Sequence, residues 1–441
     1  MRRNVGGALS LPRWWIAVLA ACVLVVVGVV VVVVRATVPP CHDELVEGPR
    51  SPLLDPGGME EQPDQRLDRL AAAVGDLQAP FGDVLAGVGY DYDQWLHLYG
   101  IEDGVLAFTK NNAPVTLLDP ESLAVRWSLR PDSKRIAWDA GGDRFLLLDL
   151  SGKEATRVSS YDVADGDRVW CAEVGQEHAE GDPVATTFLD RGDVLTALPD
   201  GDEVVLTRLS GSTGKTVWDR GYTTVGRADF LGPLDEDLVV VGGTEEFRLA
   251  EQAPETKAGP VLTAVSASDG NPAWTWAADA GSQVHVVGVG DGRVISVERG
   301  SDGVRLFALS DSGSELWSVE PQDAAYEATL RGGVVVMKSA AALYGYDAES
   351  GEQLWKDAVP SDRTYFPYGF TLGQMPSLDD AHVLMATTSE LVVLDVTDGS
   401  TESYPLPVDG ISTTYWPYQL LATPDLLGVV TNTGAVVARR E

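Results

Sequence analysis

An all-β ring of radially packed sheets, an eight-bladed β-propeller behind one N-terminal transmembrane helix, is the fold the sequence predicts. Three observations predict it. A long apolar run lies near the N-terminus, short Val/Leu-rich runs alternate with Gly/Asp/Ser turns through the remainder, and one of those turns keeps returning with a Trp behind it.

The N-terminal run comes first. "MRRNVGGALSLPR" carries Arg2, Arg3 and Arg13, and residues 14–34 then hold no charge. Twenty-one apolar residues at about 1.5 Å each reach roughly 30 Å, the thickness of the bilayer hydrocarbon. Trp14 and Trp15 suit the interface, and the preceding Arg cluster favours a cytoplasmic N-terminus. Residues 1–13 are therefore expected as a cytoplasmic tail, 14–34 as an uncleaved signal anchor, and the rest as extracytoplasmic. The rival is a lipoprotein: "LAAC" ending at Cys22 matches a lipobox, although twelve further apolar residues follow it. Both readings place the main body outside the cytoplasm.

Residues 35–79 are expected as a stalk. It is Pro/Gly-rich and closes on a short helical pattern, with Leu67, Leu70, Ala71 and Val74 at i, i+3, i+4, i+7 and Pro63 in the first turn. Past the anchor only Cys41 and Cys171 remain; in an oxidising compartment they can pair and tie stalk to body, or stay unpaired or link to other chains.

From residue 80 to 441 the chain reads as strand after strand. Aligned on a terminal Trp, it offers "SYDVADGDRVW", "TRLSGSTGKTVW", "TAVSASDGNPAW", "FALSDSGSELW" and "YGYDAESGEQLW". These copies pair Gly166 with Trp170, Gly214 with Trp218, Gly270 with Trp274, Gly313 with Trp317, and Gly351 with Trp355. A degenerate copy ends at Trp127 with Leu123 in the Gly place, and another keeps Gly399 but has Ser403 for the Trp. Gly supplies positive φ in a tight turn, and the next strand buries its Trp. A lone four-stranded sheet cannot cover both faces, so neighbours must stack, with the indole wedged between them.

At these residues the sequence resembles the tryptophan-docking repeat of PQQ-binding-like β-propellers, across roughly residues 80–441. That family includes quinoprotein alcohol dehydrogenases and the propeller scaffold lipoprotein of the bacterial β-barrel assembly machinery. The resemblance implies a propeller in which the docking Gly and Trp are structural. It carries over no catalytic residue, since the enzymes' adjacent-cysteine disulfide and large inserted loops have no counterpart here. PQQ and calcium are accordingly not expected.

Seven turns define seven blades. The C-terminal runs supply about three more strands, and the segment near Asp83–Asp91 can add a fourth, closing an eighth blade; seven is the alternative. Blades seven, eight and one then adjoin, and each begins with aromatics. Tyr365, Phe366, Tyr368 and Phe370 open the seventh, Tyr415, Trp416 and Tyr418 the eighth, and Tyr90, Tyr92 and Trp95 the first. Together they make a candidate binding patch for an extended peptide or partner loop; the competing reading is seam packing.

Other chemistry is scarce. The five His (His42, His97, His178, His285, His382) have no metal-ligand spacing. "GSTGKT" lacks the first Gly of a phosphate loop and belongs to a docking turn, and "GVGDGR" reads as a hairpin. A formal charge of −34 argues against a nucleic-acid surface, since phosphate binding needs a basic face. The expected function is a non-catalytic scaffold for envelope or membrane proteins, with a funnel enzyme or small-ligand sensor as the alternative.

Overall fold

The computed structural model describes residues 44–45 and most of 71–441; the longer stretches outside the description are 1–43, 46–70, 90–95, 131–135, 150–155, 175–184, 224–229, 243–260, 359–377 and 406–416. The chain divides into two units, Met1–His42 and Asp43–Glu441, and the described residues belong to the second.

Each blade is an antiparallel meander. Blade 1 runs through Leu96–Ile101, Gly104–Thr109, Val115–Leu118 and Val125–Arg130, and Glu44–Leu45 adds a fifth strand on its outer edge. Blade 2 spans 136–174, blade 3 185–223, blade 4 230–277, blade 5 283–319 and blade 6 325–358. Blade 7 shows three described strands, His382–Ala386, Glu390–Asp395 and Thr401–Pro405.

Blade 8 combines Pro417–Ala422, Leu426–Thr431 and Gly434–Arg440 with an outer strand from the other end of the chain, Phe81–Gly89. Phe81 pairs with Arg440 and Gly89 with Gly434, so the ring is closed by joining the first long strand to the last. Eight blades, not seven, is the outcome. The closing strand begins at Phe81, slightly before the sequence suggested, and the Glu441 N–H donates to the Pro80 carbonyl at 3.0 Å beside it.

Eight apolar clusters among the described residues each join two consecutive blades, from the Trp127–Phe145 cluster between blades 1 and 2 to the Leu98–Leu421 cluster between blades 8 and 1. This radial packing explains the sequence patterns. Middle strands are covered on both faces, so Val115–Leu118 and Val334–Ser339 are buried throughout and read as continuous apolar runs. Outer strands such as Pro272–Ala277 and Glu315–Val319 are half solvated and alternate.

The expected boundary at residue 80 shifts. Ala71, Ala72, Val74 and Gly75 are helical, and Val74 is only 2% exposed, packed among Phe81, Leu384, Tyr404 and Leu420 at the blade 7–8 interface. These residues belong to the disc, because an apolar stripe at helical spacing gains more from that interface than from water. The remainder of the predicted helix, the anchor at 14–34 and Cys22 lie outside the described residues. Among the described residues no helix is long and apolar enough to cross a membrane.

Candidate functional site

The docking turns are the most repeated local structure. In blade 6, Asp347 Oδ1 accepts from the Glu349 and Ser350 N–H groups at 3.1 and 2.7 Å and from the Ser350 hydroxyl at 2.7 Å. Gly351 then turns at φ 74°, and its N–H donates to the Asp347 carbonyl at 2.8 Å. A register shift between Gly345 and Tyr346 follows, leaving Leu354 as a bulge residue and turning Trp355 inward. Val169, Val217, Leu316 and Leu354, the residues before four of the Trp, are exposed large apolar side chains.

The left-handed Gly is also where the neighbouring indole lands. A Cβ on Gly351 would lie 2.6 Å from Trp317 Cε3 of the preceding blade, and Gly166, Gly214, Gly270, Gly313 and Gly399 face Trp127, Trp170, Trp218, Trp274 and Trp355 in the same way. Each of these six Trp donates its Nε1–H across the interface: to Val163 O at 2.8 Å, Gly211 O at 2.7 Å, Ala267 O at 3.1 Å, Asp311 O at 2.7 Å, Ala348 O at 3.3 Å and Val396 O at 2.7 Å in chain order. Each indole is thereby both packed and satisfied. Trp127 and Gly399, from the two degenerate copies, take full part.

The two degeneracies have one cause. Blade 8 is closed by two chain ends, so it has no docking turn to receive a Trp from blade 7 and no Trp to send to blade 1. Ser403 stands where the first indole is unnecessary. Leu123 keeps the left-handed turn at φ 54° and is 5% exposed, its side chain packed with Leu98, Leu118, Leu421 and Ala435, and among the described residues no indole arrives there. In that turn Asp119 accepts from Ser122 and Arg126, whose guanidinium is 2.9 Å away, and the Ser122 hydroxyl and N–H lead in holding its carboxyl down at about 2.

Of the candidate aromatic patch, Tyr90, Tyr92, Trp95, Tyr365, Phe366, Tyr368, Phe370, Tyr415 and Trp416 lie outside the described residues. Tyr418 belongs by its backbone to Pro417–Ala422. The strands that two of these segments enter are immediate neighbours. Gln419 of blade 8 uses its amide as a strand edge: the Leu98 N–H donates to its Oε1 at 3.1 Å, and its Nε2 donates to Leu98 O at 2.7 Å. Gly100 comes so close to blade 8 that a Cβ there would lie 2.7 Å from Thr423 Cγ2. Nothing in the spacing of the sequence pointed to Gln419. Its neighbour strand carries His97 and Tyr99, which pack with Phe108 of the following strand at ring centroids 5.4 to 6.1 Å apart.

Cys171, on the outer strand of blade 2, is disulfide-bonded, and Cys41 lies outside the described residues. Gly211–Thr216 is a docking turn, and Gly290–Arg293 is a two-residue hairpin with Asp291 at φ 50° and Gly292 at φ 69°. Among the described residues no group of three or more His, Cys, Asp or Glu is placed to hold a metal ion.

Set against known proteins, residues 72–256 and 257–421 match the PQQ-repeat family described as outer membrane protein assembly factor BamB. The chain belongs to that family. No curated protein matches it in sequence. The crystal structure of BamB from Moraxella catarrhalis aligns with a TM-score of 0.52 at 15% identity, covering 81% of this chain and 99% of that one. Sqt1 of Saccharomyces cerevisiae aligns with a TM-score of 0.52 at 10% identity, over 80% and 97%. A quinohemoprotein alcohol dehydrogenase, ADHIIG of Pseudomonas putida HK5, aligns with a TM-score of 0.47 at 10% identity, over 80% and 75%. At such identities these alignments speak for fold alone.

Proposed function

We propose that the protein is a non-catalytic interaction scaffold of the bacterial envelope, a propeller held outside the cytoplasm by residues 14–34. Partner segments would bind at the aromatic openings of blades 7, 8 and 1. Family membership supports a scaffold, since the family takes its description from an outer membrane protein assembly factor. The observation that carries the binding site is the Gln419–Leu98 bridge. It sets Pro417–Ala422 of blade 8 and Leu96–Ile101 of blade 1 side by side, and the proposed site is formed by the aromatic residues that precede these strands in sequence. Aromatic side chains in a segment poor in charge are what an interface core is enriched in. The net charge of −34 adds a preference for partners with basic segments.

The test is crosslinking in intact cells with Phe366, Tyr368, Tyr415 and Trp416 replaced by Ala. Partner capture should fall at least tenfold while the protein stays folded and membrane-associated; undiminished capture removes the patch. Thermal unfolding with and without PQQ and calcium addresses the enzyme reading, for which no shift is expected.

A further inference from the structure

Among the described residues six of the eight blade interfaces carry a Trp wedge, and none is seen at the two flanking blade 8. One short stretch of chain packs into both, beside Leu123 at the second. At the 7–8 interface Val74 is buried with Ala71 and Leu77 packed against the same cluster, and Phe81 meets Tyr404 edge-on, with centroids 5.2 Å apart and planes at 72°. At the 8–1 interface Ala86 is buried, with Leu85 and Val88 beside it. Register shifts between Phe81 and Val84 and again between Val84 and Ala86 let the strand serve both faces of its sheet.

We infer that the helical residues around Val74 and the Phe81–Gly89 strand act as one latch, packing where no wedge is seen and making the blade 7–8 interface the place where the ring opens. The physical ground is the difference in attachment. A Trp wedge is covalently continuous with its own blade and hydrogen-bonded to the next, so it leaves only when a blade unfolds. The helix is continuous with blade 8 only through the closing strand. Among the described residues its backbone bonds are internal, from the Asp76 N–H to Ala72 O and from the Leu77 N–H to Val74 O. Apolar packing, chiefly of Val74, is therefore what holds it, and packing of that kind can be lost without unfolding either blade.

Hydrogen exchange on the full chain in detergent tests this, with Val74→Ala and Val74→Asp compared against Trp274→Ala. Removing two methyl groups from a buried site should speed exchange about tenfold, confined to Phe81–Gly89, Pro417–Ala422 and His382–Ala386. Val74→Asp should exceed that in the same segments. Trp274→Ala should instead act on blades 4 and 5. Exchange unchanged in the Val74 variants, or raised evenly around the ring including blade 3, overturns the latch. Should Val74→Asp fail to fold, Val74→Ala alone separates these outcomes.

Discussion

Replacing Leu123 by Gly restores the repeat's consensus, and it should destabilise the protein. At φ 54° a non-Gly residue costs about 1 to 2 kcal/mol, which Gly would relieve. Gly also adds about 0.5 to 1 kcal/mol of unfolded-chain entropy, cancelling part of that gain. Against this stands a Leu side chain 5% exposed in the blade 8–1 cluster. Deleting a buried Leu side chain costs about 2 to 5 kcal/mol, most where the surroundings cannot collapse. Strands tied by the Gln419 bridge have little freedom to collapse. The net expectation is about 2 to 3 kcal/mol of lost stability, read as a lowered urea midpoint for the full chain at unchanged slope. The opposite substitution, Gly166→Ala, should also destabilise, because its Cβ would sit 2.8 Å from Trp127 Cδ2 at φ 75°. If Leu123→Gly proves neutral or stabilising, Leu123 does not stand in for an absent indole, and the account of the degenerate copies fails.

The remaining predictions are more local. Trp317→Ala should cost about 3 to 5 kcal/mol, measured by denaturant unfolding, because it vacates the Gly351 platform and leaves Ala348 O without its indole donor. Asp119, with its pKa lowered to about 2, contributes stability that is complete above its unfolded value near 4 and is lost as pH falls through 2. Asp119→Asn should therefore lower the urea midpoint at pH 6 and converge with the parent protein at pH 2. Gln419→Leu should cost about 1 to 3 kcal/mol by stranding the Leu98 N–H and carbonyl, and a midpoint equal to the parent's would show that the bridge is dispensable. Cys41 is proposed as the partner of Cys171; peptide mapping without reductant should yield that linked pair, and a Cys22-linked peptide would refute it.

What the sequence made legible follows from how each feature is encoded. The docking turns could be read because one geometry demands several residue types at fixed offsets, and it is demanded again in each blade. The eighth blade could be inferred because an unpaired sheet edge is costly and a spare strand stood at the right end of the chain. Gln419 could not be read, since one amide posing as a backbone edge leaves no periodic trace. The helical residues around Val74 were visible as helix but not as part of the disc. Their stripe of Leu and Ala says that a face is buried and is silent on what buries it.

Closing a ring with two chain ends frees one blade from the rule that binds the others. Where the turn is absent, the Trp that would dock on it has no use; where the Trp is absent, the Gly that would make room for it becomes a hole. Ser403 and Leu123 are therefore two consequences of one topological fact, on opposite sides of blade 8. The same freedom concentrates this chain's individual features there. The Gln419 amide, the Phe81–Tyr404 contact and the buried Val74 occur at the seams and in no docked interface. The aromatic segments of the proposed partner site precede strands of the three blades that meet at these seams. Substitutions there should change partner capture and ring opening together, whereas substitutions at Trp218 or Trp274 should change stability with little effect on capture.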